Sequence, residues 1–114
     1  MYKGSCHCGR VAFEVEGEFS DVKECNCSHC SRKGYLLWFV PREQLRLECP
    51  EDSYGTYRFN THVIGHHFCR ECGCAPFATG KGPGGVAMAG INVRCLEGVD
   101  LTTVKREPVD GRSR

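Results

Sequence analysis

The chain has 114 residues, ten of them cysteine, and 15 basic against 14 acidic residues give a formal charge of +1. That length suits one domain, and the balanced charge gives no reason to expect a nucleic acid or an anionic membrane as partner. The longest strongly apolar run, Leu36-Leu37-Trp38-Phe39-Val40, is far too short to cross a bilayer.

No apolar signal region follows Met1 and no lipidation motif marks either end, so a cytoplasmic protein with reduced thiols is expected. Ten cysteines at this length mean disulfides or metal sites, and a reducing compartment favours metal.

Along the chain, the first cluster is Cys6-His7-Cys8-Gly9. Val11, Phe13 and Val15 then alternate with polar or small residues, which predicts a half-buried strand. The second cluster, Cys25-Asn26-Cys27-Ser28-His29-Cys30, puts three thiols in six residues. Tyr35 to Val40 reads as a fully buried strand stopped by Pro41. Leu45 and Leu47 alternate with Arg46 and Glu48, and Tyr57-Arg58-Phe59 alternates again. The third cluster, Cys69-Arg70-Glu71-Cys72-Gly73, has the form of a zinc knuckle, with Gly73 free to take the left-handed backbone such a turn often needs. Gly80 to Gly85 reads as a flexible connector, and Val86 to Val93 as a further apolar stretch loosened by Gly90. No window of a dozen residues keeps a helical period. The predicted fold is therefore mainly β: a small antiparallel zinc-binding sheet with knuckle-type metal turns and little helix. The domain is expected over residues 1–104, with 105–114 as a polar surface tail.

Seven clustered thiols divide into four plus three. Four thiolates close a tetrahedral site, whereas three leave a position open, as catalytic zinc sites do. A zinc shared by Cys6, Cys8, Cys69 and Cys72 would clasp distant parts of the chain. For Cys25, Cys27 and Cys30, a redox or wholly structural role is the alternative, with a fourth ligand drawn from Cys49, Cys74, Cys95 or a histidine (His7, His29, His62, His66 or His67). His67, two positions before Cys69, is the best candidate to orient a metal ligand. A sulfur-rich zinc activates water poorly but is matched to a further thiol, which could be held as thiolate and attack a carbonyl.

Gly4-Ser5-Cys6-His7-Cys8-Gly9, the Cys25–Cys30 cluster followed by Arg32-Lys33-Gly34, His67-Phe68-Cys69-Arg70-Glu71-Cys72-Gly73 and Asn92-Val93-Arg94-Cys95-Leu96-Glu97-Gly98 together resemble the glutathione-dependent formaldehyde-activating enzyme family, which includes centromere protein V. The resemblance runs from about Gly4 to Leu101. It implies an all-β, tent-like zinc-binding fold and two zinc ions per chain: a structural one on Cys6, Cys8, Cys69 and Cys72, and a catalytic one on Cys25, Cys27 and Cys30. It further implies a carbon–sulfur lyase that joins glutathione and formaldehyde or splits their adduct. Its partner is then a small-molecule thiol such as glutathione. The alternative is a non-catalytic module with two structural zincs that binds a protein or chromatin partner.

Overall fold

The computed structural model describes residues 1–18, 21–59 and 64–111, apart from the Pro83 side chain. The described strands, in chain order, are β1 (Tyr2–Ser5), β2 (Ala12–Val15), β3 (Asp21–Cys25), β4 (Leu37–Pro41), β5 (Leu45–Leu47), β6 (Tyr54–Tyr57), β7 (Gly65–Cys69), β8 (Phe77–Lys81), β9 (Ala87–Asn92) and β10 (Lys105–Val109). One six-residue helix, α1 (Ser28–Lys33), follows β3. The strands form a small sheet in the order β1-β2-β5 and a large one in the order β10-β3-β4-β9-β8-β7-β6. All pairings are antiparallel except that of β10 with β3. The mainly β reading holds.

Alternation along the strands gives the large sheet two different faces. One face carries a transverse row of paired residues, Trp38–Ile91–Phe77–His67–Thr56. It packs with Phe13, Val15 and Leu45 of the small sheet into the main core. The next row along, Phe39–Gly90–Ala78–His66–Tyr57, belongs to the opposite face. There a second cluster gathers Cys30, Tyr35, Leu37 and Ala75, with Cys25, Cys27 and Phe68 against it. Burial of apolar area in the first layer, roughly 25 cal/mol per Å², drives the two sheets together. The second face is covered by α1 at one end and left open at the other.

Four expectations change. The strand at 35–40 is not buried throughout: it starts at Leu37, and Phe39 on its open side is 50% exposed. The second cysteine cluster lies on α1 as well as on a turn. A six-residue helix is too short to show a period in a dozen-residue window. The connector at 80–85 begins as strand, since β8 runs to Lys81, and closes through a turn in which Gly84 and Gly85 have φ of 75° and 78°. Finally, the polar segment from 105 enters the large sheet as β10. Cross-strand ion pairs, Lys23 with Glu107 and Arg106 with Glu24, tie this exposed edge to β3. Residues 112–114 and His62 lie outside the described residues.

Candidate metal centres

Cys6 and Cys8 leave the end of β1 on a tight turn, and Cys69 and Cys72 leave the end of β7 on another. The four sulfurs lie within 4.8 Å of one another, with Cys6–Cys8 and Cys8–Cys69 both at 3.6 Å. The edge of a tetrahedron with 2.3 Å zinc–sulfur bonds is about 3.8 Å, so the set fits zinc and is far from disulfide length. Backbone N–H groups point at the sulfurs: Val11 at Cys6 (3.3 Å), Glu71 and Cys72 at Cys69 (3.4 and 3.5 Å). Gly73 follows in the left-handed region, φ 77°. These donors favour thiolate. Burial works against ionisation of Cys72, but the N–H groups of Cys74 and Cys8 and the thiols of Cys69 and Cys6 bring it down to about 6. The Arg10 N–H lowers Cys8, yet burial and the neighbouring thiols outweigh it and push that thiol up to about 12. Backbone donors and burial thus pull Cys72 and Cys8 in opposite directions, whereas a divalent ion would favour thiolate at every ligand.

Cys25, Cys27 and Cys30 form the second group within 4.8 Å, and no fourth Cys, His, Asp or Glu atom joins it among the described residues. Cys25 ends β3. Cys27 caps α1, its sulfur accepting from the Cys30 N–H at 3.2 Å, and Cys30 faces inward from the first turn. Gly34, at φ 70°, closes the helix with its N–H on the Cys30 carbonyl. A strand leading into CxxC at a helix start is also the placement of redox pairs. The third thiol, Cys25, distinguishes this set and gives it the three soft donors that suit zinc with one position open. Burial raises the Cys30 thiol most, helped by its cysteine neighbours. Burial also opposes ionisation of Cys27, but the Cys30 and His29 N–H groups and the adjacent thiols leave it below its ordinary value.

Val109, Asp110 and Gly111, the last of the described residues, flank this set. Asn26 donates its backbone N–H to Val109 O at 3.0 Å and its side chain to Asp110 Oδ1 at 3.1 Å. Gly111 then passes so close that a Cβ there would sit 2.4 Å from Cys25 Sγ.

Of the proposed fourth ligands, none reaches the three-cysteine group among the described residues. Cys74 and Cys95 pair with each other, Sγ to Sγ 3.7 Å, and Cys49 packs on the main core. His67 does not orient a cysteine. Its Nδ1 bonds Thr56 Oγ1 at 2.8 Å and its Nε2 bonds Thr79 Oγ1 at 2.7 Å, on the core face. Its neighbour His66 points to the opposite face and meets His29 at 4.2 Å between ring centres. Tyr35, Tyr57 and Phe59 surround His29 at 5.6, 5.4 and 5.2 Å. His66 is 6% exposed, and the buried Nδ1 atoms of both His29 and His66 have no hydrogen-bond partner among the described residues. Burial, then the mutual proximity of the rings, holds His66 neutral, down to about 4, and burial lowers His29 as well. Two unpartnered buried nitrogens are costly unless something pairs with them.

Tyr35 and Gly111 were not singled out by the sequence, and His66 was named only among five histidines as a possible fourth ligand. Strand parity held the signal for His66: with Cys69 turned to the core, His67 must share that side and His66 must not.

A crystal structure of a Rhodobacter sphaeroides protein is similar, with a TM-score of 0.78 and 34% identity over 92% of this chain and 99% of that one. Residues 1–106 match the family described as glutathione-dependent formaldehyde-activating enzyme. With that match over nearly its whole length, and its cysteines gathered as four and three, the chain belongs to the glutathione-dependent formaldehyde-activating enzyme family.

Proposed function

We propose that the protein is a zinc-dependent carbon–sulfur lyase that makes or splits the adduct of a small-molecule thiol, glutathione first among them, with an aldehyde. We assign the chemistry to Cys25, Cys27 and Cys30, and a structural zinc to Cys6, Cys8, Cys69 and Cys72. The observation that carries this reading is a three-sulfur group lacking a fourth protein donor among the described residues, on the same sheet face as two imidazole nitrogens that have no partner among those residues. Zinc held by the three cysteines would supply positive charge that favours the thiolate form of an incoming thiol. The chain's own residues do the rest. Leu37, Ala75 and Phe68 form an apolar wall that limits water near the sulfurs. Gly111 packs directly against Cys25, where any side chain would collide with its sulfur. The Nδ1 atoms of His29 and His66 offer hydrogen bonds to the aldehyde oxygen as it gains charge, and back to the hydroxyl of the adduct. Reduced cysteines are needed throughout, consistent with a cytoplasmic setting.

Cobalt substitution tests it. Adding glutathione or a small thiol to the cobalt-loaded protein should strengthen the sulfur-to-cobalt charge-transfer band, and NMR should show S-hydroxymethylglutathione appearing faster than without protein. An unchanged spectrum at millimolar thiol rejects the open site. The family's alternative, a zinc module without catalysis, would then be the better description.

A further inference from the structure

The open end of the large sheet's second face holds a cavity of ≈ 230 Å³ whose lining includes Phe39, Ile64, Ala78, Met88 and Gly90. Its floor is made by small residues. Ala78 and Gly90 stand opposite each other, with Phe39 beyond Gly90 and His66 beyond Ala78, all in one transverse row. Directly paired residues sit about 5 Å apart, so the floor begins one strand from His66. The cavity is also joined to the cysteine cluster on a second path. A Cβ at Gly90 would lie 3.8 Å from Leu37, and Leu37 packs with Cys30. On this face the trough therefore borders His66 through Ala78 and the cysteine group through Leu37. A thiol–aldehyde adduct has three matching parts: a sulfur, a carbon bearing oxygen, and the aldehyde's substituent.

Resting on the function proposed above, we infer that the trough binds the hydrocarbon chain of the aldehyde, so that aliphatic aldehydes of several carbons are the preferred electrophiles. The volume takes roughly eight water-sized groups at about 30 Å³ each. Formaldehyde, having no substituent, leaves it empty. The step itself is an addition. The thiol gives up its proton, its sulfur bonds to the carbonyl carbon, the π pair of the C=O bond moves to oxygen, and a proton returns to that oxygen. It needs no oxidant or reductant.

Two measurements on the zinc-loaded full chain test this. In the first, 1-hexanol is titrated into ¹⁵N-labelled protein. The amides of Ala78, Gly80 and Gly90 should shift and those of β1, β2 and β5 should not. Ala78→Leu, which fills the trough, and Phe39→Ala, which removes a half-exposed wall without touching the core, should each weaken hexanol at least threefold. In the second, kcat/KM with glutathione is compared for propanal, pentanal and heptanal. It should rise about threefold per methylene, and the rise should be lost in both variants. Hexanol that leaves those amides unmoved overturns the trough. So does turnover that is flat with chain length, or that climbs equally in both variants, and the thiol–aldehyde reaction then still stands. If hexanol binds in the trough but no aldehyde turns over, the reaction is wrong and the aldehyde falls with it as occupant.

Discussion

The two cysteine groups sit on opposite faces of one sheet and are built in opposite ways. The four-cysteine group joins two turns that lie far apart in the sequence. It stands at the edge of the main core, where Cys6 and Cys69 are buried. The three-cysteine group comes from six consecutive residues at a strand end and a helix cap, beside a surface left partly open. A metal in the first would crosslink distant chain, and its binding energy would be folding energy. A metal in the second would crosslink almost nothing, so its affinity is available for a ligand. On the function proposed above, sequence separation, more than the number of sulfurs, would divide the two roles.

The sharpest way to break this contrast is to remove one sulfur from each. Cys69→Ala should fail to fold or should lose on the order of 15 °C in Tm, whereas Cys27→Ala should lose no more than about 5 °C while abolishing thiol binding. Equal losses in thermal melts would merge the two roles. Next in size, a weak chelator should take one zinc per chain before the other, because three ligands hold metal less tightly than four. Elemental analysis after dialysis should find one zinc retained and the melt nearly unchanged; simultaneous loss of both would argue against an open site.

The histidine pair gives the same contrast on a smaller scale. His67→Ala leaves Thr56 and Thr79 without their shared partner and should destabilise by about 2–3 kcal/mol in urea titration. His66→Ala should cost less stability but lower kcat at least tenfold, since its Nδ1 has no protein partner to lose. Gly111→Val should weaken thiol binding roughly tenfold by calorimetry with the fold intact, because its Cβ must displace something beside Cys25. Lys23→Gln should do least. Its partner Glu107 is half exposed, and exposed ion pairs contribute little, so Tm should move by less than about 2 °C.

Much of the molecule was legible in advance. The cysteine spacings marked both groups, and the alternation at 11–16 and 45–48 gave β2 and β5, each with one buried face. What escaped was set by tertiary pairing. Tyr2–Ser5 and Lys105–Val109 carry little apolar alternation of their own and are strands because a neighbour supplies hydrogen bonds. Phe39 sits in an apolar run but faces a surface that α1 does not reach. His67 was preferred over His66 because it is nearer Cys69 in sequence. In a strand, an offset of one places a side chain on the other face of the sheet, so proximity chose the residue pointing away from the open site.

The seating of β3 bears on the order in which the protein is made. On one side β3 is held by a single register pair, Lys23 with Leu37; on the other it has five pairs with β10, whose Glu107 comes 84 residues after Lys23. During translation the knuckle is complete once Cys72 emerges, while β10 has yet to be synthesised for an interval on the order of seconds. Through that interval the nascent Cys25–Cys30 segment lacks both the strand that fixes it and the glycine that later crowds Cys25. Metal delivered then meets a wider mouth than the finished protein presents.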